Sequence, residues 1–146
     1  MIETVVKKGQ TNIFDKLILS KHVDIWKLDR DQKAVYGILK NHIGKDESIK
    51  SRGITELTGF RDVQIRCLIS SMVGVHGFPI CSGGRGFFIA KDQKELEEHC
   101  SSMQRRAIMI LKRVSKLRRL PLEDIITESK GLLHQMELEE ERRSAA

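Results

Sequence analysis

Residues 51–90, "SRGITELTGFRDVQIRCLISSMVGVHGFPICSGGRGFFIA", decide the fold of this chain of 146 residues. The stretch opens with a pattern that predicts a short helix, capped by Ser51 and ended by Gly59. A second helix then begins near Asp62, whose carboxylate suits the positive end of a helix dipole. A turn of a few residues that contains a glycine therefore joins two consecutive helices. The side chains expected to face inward from the short helix are Ile54 and Leu57.

The second helix carries one apolar stripe. Ile65, Leu68, Ile69 and Met72 recur at i, i+3, i+4 and i+7, which is the spacing of a core-facing helix surface. The opposite surface is polar and is expected to face solvent or a ligand. The side chains predicted on that outward surface are Arg61, Asp62, Gln64, Arg66, Cys67, Ser70 and Ser71.

A β-hairpin follows directly. Two short apolar runs flank a glycine-rich tip at residues 82–86, and such runs joined by three to five residues predict two antiparallel strands. Glycine reaches the positive φ angles that tight connections need. Arg85 lies within this tip. Its side chain is either simply solvated or placed to contact an anion.

Upstream of residue 51 the pattern is that of another helix. It runs from Asp31, and Gly44 is the natural stop. Residues 1–30 form an N-terminal arm in which "TNIFDKLILS" suits a short helix and "HVDIWKL" a strand. We expect Trp26 to pack against the domain, because large aromatic side chains are mostly buried. The apolar positions of the predicted helix are Val35, Ile38, Leu39 and Ile43.

The order helix, short helix, helix, hairpin predicts a winged helix-turn-helix domain over residues 31–91. Residues 31–120 also resemble winged helix-turn-helix proteins of bacteriophages and prophages, in "ITELTGFRDVQIRCLISSM" and "GFPICSGGRGFFIAKDQKELE". The resemblance implies a recognition helix, a wing that contains glycine, an aromatic strand and a long helix. This chain departs from it in the N-terminal arm and at Arg61, where similar proteins more often carry Ser or Thr.

Residues 92–120 predict a long, basic, amphipathic helix, since after the hairpin they contain neither proline nor glycine. Apolar and small residues along it are separated by alternating steps of four and three, which is the spacing of a coiled-coil seam. We expect this seam to join two chains into a homodimer, with packing inside one chain as the alternative. The seam consists of Leu96, Cys100, Met103, Ala107, Ile110, Val114 and Leu117.

Charge is segregated at the C-terminal end. Residues 101–120 hold seven basic and no acidic residues, whereas residues 121–146 hold seven acidic and three basic ones. Pro121 interrupts the helix, so residues 121–146 are expected to form a second, acidic helix or tail. The predicted fold is therefore mainly α (α+β), with a helical hairpin or a coiled coil after the winged domain. Alternatively, the basic helix lies along DNA.

Composition narrows the class of function. A formal net charge of +6 fits an anionic partner such as nucleic acid. Three cysteines without close pairs indicate neither a disulfide framework nor a metal site, and no cofactor is expected. The motifs of nucleotide-binding and hydrolytic enzymes are missing, which argues against an enzyme. The chain shows no signal peptide and no stretch of ~18 apolar residues, so we expect a cytoplasmic protein of a bacterial host.

The winged domain predicts contacts with double-stranded DNA. In a helix-turn-helix the second helix enters the major groove, where arginine pairs with guanine and glutamine with adenine. Arg61 and Gln64 are therefore predicted to read bases. Arg66, Ser70 and Ser71 are predicted to contact phosphate, although Arg66 can instead pair with Asp62 four residues earlier. Further backbone contacts are expected from Arg85 in the wing and from Lys50 and Arg52 beside the short helix.

Three functions remain open at this point, because one domain type serves all of them. The first is a dimeric, sequence-specific DNA-binding transcriptional regulator of a phage or mobile element. The second is a replication or packaging accessory, which binds an origin or recruits a helicase, loader or terminase. The third is an adaptor whose winged domain binds protein and no DNA.

Overall fold

The computed structural model of the protein describes residues 25–146. It confirms a mainly helical fold in which three helices precede an antiparallel hairpin and two long helices follow it. The predicted short helix in "TNIFDKLILS" lies outside the described residues. The elements are α1 (Arg30–Leu39), α2 (Ser51–Thr58), α3 (Asp62–Gly74), β1 (Ile80–Gly83), β2 (Gly86–Ile89), α4 (Gln93–Arg118) and α5 (Leu122–Ser144), with single 3-10 turns at Ile25–Lys27 and Lys45–Glu47.

The chain divides into two compact units. One ends at Cys100 and the other comprises residues 101–146, so the division falls within α4. In the first unit, α1, α2 and α3 pack with the hairpin around one apolar core. This core confirms the predicted stripe of α3, in which Leu68 is half-buried and the other three residues are buried. The core residues are Leu28, Val35, Leu39, Ile54, Ile65, Ile69, Met72, Phe78, Ile80, Phe87 and Ile89.

Leu57 and Trp26, which the sequence analysis placed in the core, lie outside it. Leu57 is 68% exposed, so the prediction that it faces inward is wrong. The inward face of the short α2 is centred on Ile54 and on Thr58, one turn later, whose hydroxyl donates a hydrogen bond to the Ile54 carbonyl. Trp26 is 89% exposed in the 3-10 turn before α1, where a strand was predicted. This turn leads to Leu28, which supplies the buried side chain that Trp26 was expected to supply.

α1 begins at a capping box. The Gln32 amide N–H donates to the Asp29 carboxylate at 2.8 Å, and the Asp29 N–H donates to the Gln32 side-chain oxygen at 3.1 Å. These reciprocal bonds satisfy two of the N–H groups that a helix start leaves unpaired. α1 therefore begins at Arg30, one residue before the predicted start.

α1 ends at Leu39 and does not continue to Gly44 as predicted. The physical reason is that the following backbone pairs with β2. The Ile89 N–H donates to the His42 carbonyl at 2.9 Å, and the Gly44 N–H donates to the Ile89 carbonyl at 2.8 Å. Backbone groups used in this way are not available to extend the helix.

The predicted hairpin is confirmed, and its second strand is central. Ile80 lies opposite Ile89 and Gly83 opposite Gly86, which leaves two residues at the tip. On the other edge of β2, Phe87 exchanges backbone hydrogen bonds of 2.8 and 2.9 Å with Ile49, just before α2. The hairpin is thereby bound to the start of α2.

Both faces of the hairpin are buried. One face contributes to the main core, whereas Cys81, Phe88 and Ala90 form a second cluster on the other face. Leu96 of α4 packs against this second cluster and is half-buried. Nearby, the buried carboxylate of Glu95 accepts hydrogen bonds from two backbone N–H groups, those of Lys45 and Lys91. Only the tip of the hairpin, residues 82–85, is exposed.

The second unit is a helical hairpin, as predicted. Pro121 lies in the turn between α4 and α5, and Ile125 is buried one turn into α5. The Ser115 hydroxyl donates to the carbonyl of Leu120 at 2.6 Å. The guanidinium of Arg118 donates to the carboxylate of Glu128, which joins the basic helix to the acidic one.

Gly86 is the hairpin residue that cannot be replaced without strain. Its φ is +117°, and a Cβ would lie 2.3 Å from the Ile49 carbonyl oxygen. We expect Gly86→Ala to lower the free energy of unfolding by about 1–3 kcal/mol from the backbone conformation alone, with the clash added. Urea unfolding followed by circular dichroism measures it.

Gly84→Ala is the matched control, since a Cβ there meets nothing within 4 Å and its φ is not positive. Equal stability of the two variants would contradict the close approach of β2 to Ile49.

The cysteines provide a second test of the fold. Burial raises the pKa of the Cys81 thiol to about 12, whereas Cys67 and Cys100 are exposed. Because the thiolate is the reactive form, two thiols should be alkylated rapidly at pH 8 and the third only after unfolding. Mass spectrometry after alkylation counts and locates them. Rapid modification of Cys81 in the folded protein would show that the second cluster is open.

Candidate nucleic-acid interface

One strip of α3 is free of the core. Val63, Arg66, Cys67 and Ser70 are all exposed, and their side chains lie opposite the buried stripe of the same helix. We refer to these four residues as the outer face of α3. Two of the predicted DNA contacts, Arg66 and Ser70, belong to it. The side chains of this face other than Arg66 are short, so another macromolecule can approach the helix backbone closely.

Arg61 occupies the N-cap position of α3. Its carbonyl accepts the first helical hydrogen bond, from the Ile65 N–H at 3.0 Å, while its side chain makes no capping bond. The side chain is exposed and forms no ion pair within residues 25–146. A cation at this end of a helix is disfavoured by roughly 0.3–1 kcal/mol. Helix stability therefore does not explain Arg61, whereas binding of an anionic or electron-rich ligand would.

Gln64 and Ser71 lie on the flank of α3 and not on its outer face. Both are half-buried. The Ser71 hydroxyl accepts a hydrogen bond of 3.1 Å from the side-chain amide of Gln32 in α1, so the prediction that Ser71 faces outward is wrong. Gln32 itself is buried, and this bond satisfies its amide while joining α1 to α3.

Val63 is a candidate contact that the sequence analysis missed. It lies within the outer face and is 72% exposed. Valine methyl groups can pack against the methyl group of thymine in a major groove. The sequence did contain a signal for it. Val63 does not fall on the apolar stripe of α3, so its side chain had to face away from the core.

Arg66 connects α3 to the hairpin. Its Nε donates to the Asp62 carboxylate at 2.9 Å, which confirms the alternative pairing predicted for it. The guanidinium carbon also lies 5.8 Å from the centre of the Phe87 ring, a cation–π contact. Hydrogen bonds from the side chains of Ser51 and then Arg66 hold the pKa of the Asp62 carboxyl below its usual value. A negative charge therefore stands beside the outer face at neutral pH.

Two other predicted phosphate contacts, Arg85 and Arg52, also have acidic neighbours. Arg85 Nη1 lies 3.5 Å from Asp46 Oδ1, and Arg52 Nε lies 3.4 Å from Glu56 Oε1. Lys50 is the N-cap residue of α2 and is exposed. Exposed ion pairs contribute about 0–1 kcal/mol, so exchanging a carboxylate for a phosphate costs these arginines little.

Positive charge is unevenly distributed along the chain. Residues 25–100 contain twelve basic and ten acidic residues, so the unit that carries the outer face is nearly balanced. Residues 101–120 contain seven basic and no acidic ones. Most of the excess positive charge of the protein therefore belongs to α4 and the turn after it, not to the surroundings of α3.

Within residues 25–146 no group of three or more His, Cys, Asp or Glu side chains is arranged to hold a metal ion. In the same part of the chain, no helix has the length and apolar character needed to cross a membrane. No known protein family, curated protein or solved structure matches the chain.

The hydrogen bonds to Asp62 predict two effects of the same sign. Ser51→Ala and Arg66→Ala should each raise the pKa of the Asp62 carboxyl, because each removes a hydrogen bond that lowers it. NMR titration of the carboxyl carbon measures both shifts. An unchanged pKa in Ser51→Ala would contradict the contact between α2 and the start of α3.

The same carboxyl has a signed effect on stability. A group with a lowered folded-state pKa stabilises above its unfolded pKa, about 3.9 for Asp, and loses this contribution as the pH falls through the folded value. Wild type should therefore exceed Asp62→Asn in stability at pH 7 by more than it does at pH 3. Urea unfolding at the two pH values tests this.

Proposed function

We propose that residues 31–91 form a winged helix-turn-helix domain that binds double-stranded DNA. α3 enters the major groove, and the hairpin tip lies against the neighbouring backbone or minor groove. The observation that carries this proposal is the contact of Arg66 with Phe87, which holds the outer face of α3 beside the hairpin. The element order of helix, short helix, helix and hairpin supports it as well.

Base reading falls to residues at the N-terminal end of α3. Arg61 has the fork of donors that pairs with the two acceptors of guanine, and it has no ion pair within the described chain to release first. Val63 offers methyl groups to thymine. Gln64 reaches adenine from the flank of α3, where its amide is only partly covered. Ser70, further along the outer face, suits a phosphate contact.

Phosphate contacts come from the arginines that are now paired with carboxylates. Arg52, Arg66 and Arg85 exchange Glu56, Asp62 and Asp46 for phosphate oxygens, and Lys50 adds a contact at the start of α2. Each neutralised phosphate adds about 0.9 to the salt dependence of binding. The balanced charge of this unit predicts modest affinity for one domain, which a second domain or the basic helix α4 must supplement.

The protein acts, in this proposal, as a homodimer in the cytoplasm of a bacterial host. Two winged domains then read a palindromic site whose half-sites are about 10 bp apart or a multiple of that. Regulation of transcription in a phage or mobile element is the function we favour. Marking a replication origin or a packaging site uses the same chemistry and differs in where the target sequence lies.

A second candidate function is a protein adaptor. The exposed Leu57 and Val63 and the balanced charge of residues 25–100 favour it, because protein-binding surfaces combine apolar patches with paired charges. DNA binding is preferred because neither helix stability nor an ion pair within the described chain accounts for Arg61.

Gel shifts with fragments of the phage or mobile element's own DNA, at 50 and 200 mM salt, separate these functions. The proposal expects a shift at low salt that weakens at high salt. Retention of promoter fragments supports a regulator, and retention of origin or packaging fragments supports an accessory. No shift at low salt would reject DNA binding and leave the adaptor.

Substitutions in the reading helix should change specificity. Arg61→Ala and Gln64→Ala are each expected to cost about 1–3 kcal/mol with the preferred site and to relax base preference. Arg85→Ala should weaken all sequences alike and reduce the salt slope by about one. Fluorescence anisotropy with specific and scrambled duplexes measures both effects.

Lys130→Ala removes one exposed cation from the middle of α5 and serves as the matched control. If Arg61→Ala binds its site as wild type does while retaining the folded spectrum, α3 is not the element that reads bases.

A further inference from the structure

A long stretch of each of the two long helices is exposed. We define the distal halves as residues 101–110 of α4 and 131–144 of α5, the parts of the second unit that lie farthest from the turn between the two helices. Every residue in both halves is exposed. Eight of them are large apolar residues, between 40% and 58% exposed: Met103, Ile108, Met109, Ile110, Leu132, Leu133, Met136 and Leu138.

The bare apolar surfaces continue the surfaces that pack near the turn. In α5, Leu132 and Met136 follow the buried Ile125 at seven and eleven residues, which is the same side of a helix. In α4, Ile110 and Met103 precede the half-buried Val114 at four and eleven residues. The two helices therefore cover each other near the turn and leave the same faces uncovered beyond it.

Exposed faces of this kind are costly for the helices that carry them. Amphipathic helices in proteins owe most of their stability to tertiary packing of the apolar face, and each fully buried large apolar side chain contributes about 1.5–3 kcal/mol. Within residues 25–146 nothing covers the distal halves. A partner that covers these apolar faces would therefore stabilise both helices.

Charge identifies the partner. The distal half of α4 carries Arg105 and Arg106 and no acidic residue, whereas the distal half of α5 carries four glutamates, among them Glu137 and Glu140, and only two arginines. A partner of one charge sign, such as a nucleic acid or an acidic peptide, would attract one helix and be repelled by the other. A second copy of this chain offers both signs, together with an identical apolar face.

We propose that two copies of the chain join their distal halves into a four-helix bundle. The basic α4 of each copy lies beside the acidic α5 of the other, and the eight apolar residues of each chain form the core. This deepens the homodimer of the proposed function by naming its surface, but it does not depend on DNA binding. It differs from a coiled coil of α4 alone, in which Leu117 would be a seam residue.

Sedimentation equilibrium of the full chain without DNA tests the bundle. Wild type is expected to be a dimer, and Leu132→Ser with Met136→Ser should raise its dissociation constant by about 100-fold or more, because two large apolar side chains per chain leave the core. The matched control is Leu117→Ser, which lies near the turn, is 83% exposed and should remain dimeric. Circular dichroism confirms that each variant is folded.

A monomeric wild type, or a dimer that dissociates in Leu117→Ser but not in the double variant, would overturn the proposal. Charge reversal provides an independent readout. Arg105→Glu with Arg106→Glu, and Glu137→Lys with Glu140→Lys, should each weaken the homodimer. Mixing the two should yield a heterodimer by native mass spectrometry, and failure to do so would contradict the pairing of α4 with the other copy's α5.

The outcome is separable from that of the gel shifts. A chain that dimerises through its distal halves but shifts no DNA keeps the bundle and loses the proposed DNA binding. A monomer that still shifts DNA keeps the proposed domain function and loses the bundle.

Discussion

The backbone pairing between Phe87 and Ile49 is the contact on which the arrangement of the first unit depends. It makes β2 a central strand, with β1 on one edge and the chain before α2 on the other. The approach is so close that a side chain at Gly86 would overlap the Ile49 carbonyl. Because the hairpin is bound to the start of α2, and α2 packs on α3, the hairpin is held in place relative to α3, with the Phe87 ring beside Arg66 of the outer face.

The candidate interface contains two ion-paired arginines, which lie at the edges of the assembly of α2, α3 and the hairpin. Arg66 lies between α3 and β2, and Arg85 lies against the turn that precedes Ile49. Surface ion pairs are weak in water. They therefore orient the guanidinium groups but leave them able to exchange the carboxylate for another anion. Arg61 differs from them, since it has no acidic partner among the described residues and stands at the unfavourable end of a helix dipole.

Periodicity predicted the elements, and tertiary contacts decided their ends. The stripe containing Ile65 and Met72 located α3 correctly, because the 3.6-residue repeat of an amphipathic helix is a local property of the sequence. The end of α1 was missed because the backbone groups of His42 and Gly44, which follow the helix, bond to Ile89, more than 40 residues away. Ser71 was misplaced for a similar reason, since the group that covers it is the side chain of Gln32 in another helix.

The sequence by itself determined the order of the elements, the apolar stripe of α3, the glycine-rich hairpin and the segregation of basic from acidic charge. These follow from local spacing and composition. Only the tertiary structure decided which exposed residues of α3 share a face and how much of α4 and α5 is covered. It also decided that Gly86, and not the glycines of the tip, lies close to the Ile49 carbonyl. Those properties depend on contacts between residues that are far apart in the sequence. Whether a residue is buried is decided by such tertiary contacts and not by its residue type.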